Sequence, residues 1–460
     1  MRRRDVIWTV LIVIVATWAV QGFAARRDNL YKQFETLAIV VEKIRDNYVE
    51  EVDEDKILEG ALRGALLNLD RYSAYISPKD FEEFRTETKG EFQGLGIEIG
   101  IRHNWLTVIA PIEDTPAWRA GIRAGDRIVK IEGKSTAGMS TMDAVKVLRG
   151  KKGTQVTITI RHEGARTELD LTITRDVIPL ISIRGYRRVD EVGHWDYFVE
   201  PEQKIGYIRM SAFRENTAED LDKAMDELRK KGMRALVLDL RFNPGGLLSS
   251  AVNVSDRFLE EGVIVSTRGR AVKPVSYEAR KLGTYEQFPL AVLVNNWSAS
   301  ASEIVAGAVQ DHNRGIVVGE STFGKGSVQN VIPLQGGKAA LKLTTARYYT
   351  PSGRSIHKAE GAKNGGLQPD IVVETTPEEK VKIQRLWLKL GTPPKPEPEV
   401  KKEERVVDDL EKEEDPETDV PAPELEEKKP GEEEDETFRD QQLERALVAL
   451  KVLLWQRNGK

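Results

Sequence analysis

The spacing of hydrophobic residues changes several times along this chain, and each change predicts a different kind of structure. An unbroken apolar run from Val6 to about Ala25 has roughly the ~20 residues that a helix needs to cross a bilayer. Beyond it, apolar positions recur at helical spacing over residues 34–48 and again over residues 57–66. The chain is therefore predicted to begin with a single transmembrane helix. Two amphipathic helices follow, which would pack within the protein or form a dimer contact.

From about Gly90 to Arg175 the pattern changes to short β-rich runs separated by glycines, with one helical insert at Thr141 to Leu148. From Lys204 to about Glu374, strand-like apolar runs alternate with helical ones. That alternation predicts an α/β core, in which helices flank a mixed sheet and the central strands are covered on both faces. The β-rich segment is therefore predicted to be a separate domain inserted before the core.

Beyond about Thr392 the chain is rich in Pro, Glu and Lys, and the acidic excess from Glu397 to Glu436 predicts a solvated, disordered linker. An amphipathic helix is predicted after it, over residues 438–460. Its apolar stripe needs a partner, which is either this chain's own core or a second subunit. The stripe consists of Leu443, Ala446, Leu447, Leu450, Leu453 and Leu454.

Composition and charge narrow the function classes. With 460 residues, of which 40% are hydrophobic, the chain is expected to form two or three domains. It has no cysteine, which excludes a cysteine nucleophile, a thiolate metal site and disulfides. The net charge of -5 is modest and basic residues form no block beyond the first few positions, so nucleic-acid binding is not expected. The motif HExxH is also absent, and no metal or other cofactor is predicted.

The N-terminal run also predicts a location. Arg2, Arg3 and Arg4 precede it and predict a cytoplasmic N-terminus, which leaves the rest of the chain outside the cytoplasm, on the periplasmic or cell-surface side. Gly22-Phe23-Ala24 offers a signal-peptide cleavage site, so export after cleavage is the alternative to a retained membrane anchor. A buried soluble helix is disfavoured by the three arginines and by the absence of an amphipathic stripe.

Two residues carry the candidate chemistry. Ser300 stands where the strand-like run from Leu290 to Asn295 gives way to a helix, and Lys325 lies between two glycines. A hydroxyl and an amine form a minimal pair of nucleophile and base, provided that burial keeps the lysine neutral. This pair predicts a hydrolase.

Each of these two residues can also be explained without a catalytic role. Ser300 and Glu303 fit a capping box that would simply start the helix. Gly319 to Lys325 matches most of a phosphate-binding loop, but Gly326 stands where that loop requires a magnesium-binding Ser or Thr. The five histidines are scattered and give poor support to a Ser-His-Asp triad.

Two turns could bind substrate through backbone N–H groups. Arg241 to Gly246 joins a strand to a helix and could stabilise an oxyanion, although a plain connecting turn is the alternative. The loop Gly94-Leu95-Gly96-Ile97 exposes consecutive N–H groups that could capture a peptide's terminal carboxylate. With the later turns at Gly121 and Gly125 and the helix from Thr141, this region resembles a PDZ domain. The alternative is a β module whose glycines serve only its turns.

Three segments together resemble the carboxy-terminal processing peptidases, also called tail-specific proteases. They are Leu238 to Leu248, Val294 to Gln329 and Thr350 to Ile356, and the likeness spans about Leu30 to Glu374. One segment departs from the family: Asp70-Arg71-Tyr72-Ser73 stands where Asp-Pro-His-Ser is usual.

This resemblance implies a serine peptidase with a Ser-Lys dyad. Ser300 would be the nucleophile, Lys325 the general base and Gln329 the residue that orients the lysine. Gly246 and Ala301 would supply the oxyanion N–H groups. Family members often assemble through terminal helices, so a homo-oligomer is expected, and an adaptor protein is a further candidate partner.

The expected protein is an extracytoplasmic serine endopeptidase that binds the apolar, free C-terminal tails of polypeptides through its PDZ-like domain and cleaves them. The alternative is a catalytically inactive, PDZ-bearing scaffold. The predicted order is 1–27 basic start and transmembrane anchor or signal, 28–88 helical region, 89–176 PDZ-like domain, 177–378 α/β serine protease core, 379–437 charged linker and 438–460 C-terminal helix.

Overall fold

The computed structural model of the protein describes residues 34–102, 104–112, 115–162, 165, 167–190, 194–285, 287–358, 365–392 and 438–458. The predicted transmembrane run and most of the predicted linker lie outside these residues. Within the part that is described, no helix combines the length and the apolarity that a membrane crossing requires. The chain divides into two compact units, unit 1 (Met1–Phe81 and Gln329–Thr344) and unit 2 (Glu82–Val328 and Thr345–Lys460).

The helices and strands follow the chain in this order. The helices are α1 (34–47), α2 (Glu54–Leu67), α3 (Pro78–Lys89), α4 (Pro116–Arg119), α5 (Thr141–Leu148), α6 (Thr217–Lys230), α7 (Leu248–Asp256), α8 (Ala301–Asp311), α9 (Pro377–Leu390) and α10 (Gln441–Asn458), with a 3-10 turn at Gln335–Gly337. The strands are β1 (Ala74–Ile76), β2 (Glu91–Gly94), β3 (Ile97–Arg102), β4 (Trp105–Pro111), β5 (Arg127–Ile131), β6 (Lys134–Ser135), β7 (Gln155–Arg161), β8 (Leu169–Thr174), β9 (Asp176–Pro179), β10 (Ile183–Arg184), β11 (Arg187–Arg188), β12 (Trp195–Asp196), β13 (Phe198–Glu200), β14 (Ile205–Met210), β15 (Ala235–Asp239), β16 (Val263–Arg268), β17 (Val275–Glu278), β18 (Leu290–Val294), β19 (Ile316–Gly319), β20 (Ser327–Leu334), β21 (Ala339–Tyr349) and β22 (Ile371–Val372).

Unit 1 holds the two predicted amphipathic helices. Within it, β1 pairs antiparallel with residues 340–342 of β21. The segment that departs from the family pattern forms a tight turn, in which the Asp70 carboxylate accepts hydrogen bonds from the N–H groups of Tyr72 and Ser73, each at 2.7 Å. No residue of α2 is fully buried: Leu58 and Leu62 of its apolar stripe are exposed, and Ile57, Ala61 and Leu66 are half-buried.

The β-rich segment of unit 2 is a sheet in the order β3-β4-β5-β7-β8, with β6 paired to β5. Alternate residues of its strands, such as Val108, Ile128 and Ile158, are fully buried in one core because a strand turns every second side chain to the same face. Helix α5 packs on this core through Ala144 and Leu148 and has the bounds that the sequence predicts.

The α/β core of unit 2 is built on a mixed sheet in the order β10-β14-β15-β18-β19-β22, with β13 paired to β14. Strands β14, β15, β18, β19 and β22 run parallel, whereas β10 and β13 are antiparallel to β14. All five residues of β15 and all five of β18 are buried. Helices α6, α7 and α8 contribute to the core on one face, which confirms the predicted burial of the central strands.

The other face of this sheet is covered by α10. Five of the predicted stripe residues are buried in a common cluster with β14, β15, β18 and β19: Leu443, Ala446, Leu447, Leu450 and Leu454. Of the two partners considered for the C-terminal helix, the structure therefore shows this chain's own core. A homo-oligomer stays a prediction.

Candidate active site

Ser300 lies between β18 and α8, at the carboxyl edge of the parallel strands, and it is the N-cap of α8. An ordinary N-cap residue has extended backbone angles. Ser300 instead has φ 56° and ψ -110°, a conformation that a residue with a side chain rarely adopts. Helix capping alone does not require this strain, whereas strained residues of this kind cluster at functional sites.

The carboxylate of Glu303 joins the Ser300 loop to the Lys325 loop. One oxygen accepts hydrogen bonds from the N–H groups of Ser300 (2.8 Å) and Lys325 (2.9 Å). The other accepts from the N–H of Gly324 (2.8 Å) and from the hydroxyl of Thr322. Glu303 is fully buried, and burial raises the pKa of its carboxyl while the hydrogen bonds it accepts oppose that rise.

Tyr348 forms a second link between the same two loops. Its hydroxyl makes hydrogen bonds with the carbonyl oxygens of Ser300 (3.1 Å) and Lys325. The tyrosine is 2% exposed, so its ring is fixed in the core. Glu303 and Tyr348 together bind the N–H and the carbonyl group of both residues of the predicted dyad, which the structure thereby brings to one site.

The turn from Arg241 to Gly246 packs against the Ser300 loop. The carbonyl of Asn243 accepts hydrogen bonds from the N–H of Ala299 (3.0 Å) and the hydroxyl of Ser302 (2.9 Å). Only glycine fits at position 245, because φ is 97° and an added Cβ would lie 2.6 Å from the Ala299 carbonyl oxygen.

The two predicted oxyanion donors lie on these facing loops. Within the described residues, none accepts a hydrogen bond from the N–H of Gly246 or of Ala301. The N–H of Gly245, by contrast, donates to the side-chain oxygen of Asn243 at 2.9 Å. The backbone therefore keeps two N–H groups available beside Ser300, as an oxyanion site requires.

Gln329, the predicted orienting residue, belongs to unit 1. Its side-chain N–H donates to the hydroxyl of Thr344 at 3.1 Å. No cluster of His, Asp and Glu among the residues described here could hold a metal ion.

The predicted carboxylate loop lines a groove between β3 and α5, with a cavity of about 250 Å³. The lining is mostly apolar and consists of Phe92, Gly94, Leu95, Gly96, Ile97, Ile99, Val145, Leu148 and Arg149. No described residue accepts a hydrogen bond from the N–H of Leu95 or of Gly96. At Gly96, where φ is 84°, an added Cβ would lie 2.3 Å from a side-chain carbon of Thr115, which restricts this loop to glycine.

Arg149 and Tyr348 are two site residues that the sequence did not single out. The Arg149 guanidinium lies 5.2 Å from the centre of the Phe92 ring at the edge of the groove. A basic residue directly after the predicted groove helix was the available signal. Tyr348 is 45 positions from Glu303 and belongs to no local motif that could have pointed to it.

Comparisons with known proteins identify relatives of this chain. Peptidase family S41 matches residues 204–373, a PDZ domain matches residues 107–162, and the activating protease CtpB N-terminal domain matches residues 16–79. The carboxy-terminal-processing protease of Bartonella bacilliformis is 45% identical over 360 residues, which cover 77% of this chain and 78% of that protein. The carboxy-terminal processing protease CtpA of Bacillus subtilis is 32% identical over 386 residues, covering 81% and 78%. Among solved structures, a photosystem II D1 C-terminal processing protease is 31% identical, with a TM-score of 0.40 over 72% of this chain and 86% of that chain.

Proposed function

The chain belongs to the carboxy-terminal processing proteases of peptidase family S41, and from this premise we propose that it cleaves polypeptides through a dyad of Ser300 and Lys325. Membership makes it a serine-type peptidase with a PDZ domain. The observation that carries the assignment of the dyad is the double link through Glu303 and Tyr348. These links hold the backbones of the serine and the lysine in one fixed relation, which positions a nucleophile and its base for reaction.

In the proposed reaction, the neutral amine of Lys325 removes the proton from the Ser300 hydroxyl, and the alkoxide attacks the carbonyl carbon of a peptide bond. The C–N bond then breaks, the leaving amine takes the proton from Lys325, and the acyl group remains as an ester on Ser300. The same amine next removes a proton from water, and the hydroxide attacks the ester carbonyl, which breaks the C–O bond to Ser300. The serine oxygen takes the proton back from Lys325, which restores the free hydroxyl and the neutral amine.

The N–H groups of Gly246 and Ala301 are proposed to donate to the oxyanion that forms in each attack. Their support is that no described residue uses them as donors and that their turns face each other across Ser300. Removing one such donor typically lowers kcat by about 10²- to 10³-fold. Gln329 is proposed to orient Lys325, a role that rests on the family resemblance.

The proposed substrate is a polypeptide with a free, apolar C-terminal tail. The groove offers the N–H groups of Leu95 and Gly96 to the terminal carboxylate, and its walls are apolar. A tail held there would be cleaved some distance inside the polypeptide. Arg149 adds a positive charge at the same end of the groove.

The place of action is also a proposal. Arg2, Arg3 and Arg4 before the apolar run support a single N-terminal membrane anchor, with the peptidase on the extracytoplasmic side or exported after cleavage. The exposed Leu58 and Leu62 of α2 support assembly into a homo-oligomer. An adaptor protein remains a candidate partner.

The test uses the purified full-length chain and a peptide that ends in apolar residues. Ser300→Ala and Lys325→Ala should each lower kcat by at least about 10³-fold, because neither the nucleophile nor its base has a substitute. Ser249→Ala and Lys338→Ala change exposed residues of the same types and should keep wild-type activity. Wild-type cleavage by Ser300→Ala would refute the dyad.

A binding measurement with the same variants separates the peptidase from the inactive scaffold. Ser300→Ala should bind the peptide with a wild-type Kd while failing to cleave it, since the groove is untouched. A wild-type chain that binds the peptide and releases no product would instead support the scaffold.

A further inference from the structure

Arg241 begins the turn that carries the proposed oxyanion donor, and its side chain is fully buried. The guanidinium donates to Asp239 through Nε (3.0 Å) and Nη2 (2.6 Å). It also donates to both oxygens of Asp440, through Nη1 (2.9 Å) and Nη2 (2.7 Å), and to the side-chain oxygen of Gln442 (3.1 Å). All five N–H groups of this arginine therefore have acceptors, and three of these hydrogen bonds reach the C-terminal segment.

The guanidinium of Arg241 and the two carboxylates stabilise one another's charged forms. Burial alone would lower the pKa of Arg241, but the carboxylates of Asp239 and Asp440 raise it well above its ordinary value. Asp239 also accepts a hydrogen bond from the hydroxyl of Tyr207 at 2.8 Å. A buried arginine of this kind requires both carboxylates, because removing one leaves a charge in the core without its partner.

Asp440 also contacts the start of α10. Its carboxylate accepts a hydrogen bond from the N–H of Leu443 at 3.1 Å, in the first turn of α10. The neighbouring Gln442 donates to the carbonyl of Val373 at 2.8 Å. This hydrogen bond therefore fixes the start of α10 to the sheet, in addition to the apolar face of the helix.

The residues that follow Arg241 lead directly to the candidate active site. Phe242 has φ 57°, and its N–H donates to the side-chain oxygen of Asn295 at 3.0 Å. Asn243 then contacts the serine loop through Ala299 and Ser302. A displaced Arg241 would shift this turn, because Phe242 keeps its positive φ only while the surrounding contacts hold it there.

From this geometry we propose that Asp440 is a positioning residue for catalysis, which acts through Arg241 to hold the turn from Phe242 to Gly246 against Ser300. A residue 199 positions away from Arg241 thus completes the scaffold of the oxyanion site. The inference rests on the proposed function. It concerns the same site and names a further residue on which the rate of that reaction depends.

The test compares full-length variants with a short peptide substrate. Asp440→Ala leaves two guanidinium donors without acceptors and should lower kcat on the order of 10- to 100-fold, with little change in KM, because a small misplacement of the turn affects the transition state most. Asp440→Asn keeps one acceptor oxygen and should fall between Asp440→Ala and the wild type. Leu450→Ala is the matched control, since Leu450 is fully buried on the same helix and belongs to the apolar cluster under it.

Thermal unfolding of each variant separates positioning from stability. Leu450→Ala should lower Tm at least as much as Asp440→Asn and still keep the wild-type kcat well below its Tm. The proposal is overturned if folded Asp440→Asn and Asp440→Ala have the wild-type kcat, or if Leu450→Ala loses as much kcat as they do. If Asp440→Ala does not fold, the kcat of Asp440→Asn decides.

A double-mutant cycle gives a second readout. Arg241→Met with Asp440→Ala should lose little more activity than Arg241→Met alone, because Asp440 acts only through the arginine. Additive losses would contradict the proposal. Ser300→Ala is assayed in parallel: if it is as active as the wild type, the proposed function itself has failed, whereas an inactive Ser300→Ala beside a fully active Asp440→Ala rejects only the positioning role.

Discussion

The proposed catalytic site and the PDZ groove differ in the groups from which they are built. At the Ser300 site, buried polar groups such as Glu303 and Asn243 direct hydrogen bonds at backbone atoms. In the PDZ groove, the walls are apolar, and the N–H groups of Leu95 and Gly96 have no acceptor among the described residues. Hydrogen bonds are directional and fix geometry, whereas apolar contact is non-directional and tolerates different shapes.

The difference indicates that the two regions have different roles. The proposed reaction requires one arrangement of atoms, which the hydrogen-bonded site would supply. The proposed substrates have tails of different sequence, which an apolar groove with a few N–H donors can accept. Changes at the first region should therefore lower kcat, and changes at the second should raise KM for substrates with a free C-terminus.

The strongest test of this comparison is Glu303→Gln. Both carboxylate oxygens accept hydrogen bonds from backbone N–H groups, so either orientation of the amide would point its NH₂ group at an N–H donor. Each unsatisfied or opposed buried group costs about 1–3 kcal/mol, and the displaced loops should lower kcat by roughly 100-fold. The measurement is kcat at saturating peptide.

Glu379→Gln is the matched control for that change. Glu379 is also the third residue of a capped helix and accepts the N–H of Thr376 at 2.7 Å, but it lies at the surface on α9. This control should leave kcat within about twofold of the wild type. If Glu303→Gln and Glu379→Gln had the same kcat, the hydrogen bonds to Glu303 would not control the reaction.

A smaller loss is expected for Tyr348→Phe. The ring stays in place, but the carbonyl oxygens of Ser300 and Lys325 lose their shared hydroxyl donor. A lost buried hydrogen bond of this kind should lower kcat roughly 10-fold without a large change in KM. Tyr285→Phe removes the hydroxyl of another buried tyrosine, which donates to Asp222 at 2.6 Å, and should alter Tm while kcat stays unchanged. Equal effects of the two variants on kcat would show that Tyr348 acts through stability alone.

The same comparison shows what the sequence could predict. Ser300, Lys325 and the loop Gly94 to Ile97 stand in short local motifs, where spacing along the chain reports the structure directly. The capping pattern also identified Glu303, but only as the start of a helix. Its other role depends on a loop beyond α8, and local spacing carries no information about such a contact.

Long-range partners account for most of what the sequence did not predict. Tyr348 contacts the site from β21, whereas Asp440 lies beyond the predicted linker and contacts Arg241, at the start of the adjoining turn. The sequence predicted an amphipathic helix over residues 438–460 but left two partners open, because an apolar stripe shows that a surface is buried without showing against what. Nothing in the sequence indicated that Arg241 is fully buried. A fully buried arginine requires acidic partners from elsewhere in the fold, so its burial would have pointed to Asp440.

The smallest expected effect concerns the groove and sharpens its contrast with the catalytic site. Arg149 is exposed beside Phe92, so its attraction for a terminal carboxylate is weakened by water and is worth about 0.5–1 kcal/mol. Arg149→Gln should therefore raise KM about two- to fivefold for a peptide with a free C-terminus and leave kcat unchanged. It should have no effect on KM when the C-terminus of the same peptide is amidated. Arg127→Gln removes a guanidinium that is stacked 5.3 Å from Trp105 on the same domain and should leave both constants unchanged. A KM increase that is the same for free and amidated peptides would mean that Arg149 supports the fold of the groove and does not recognise the carboxylate.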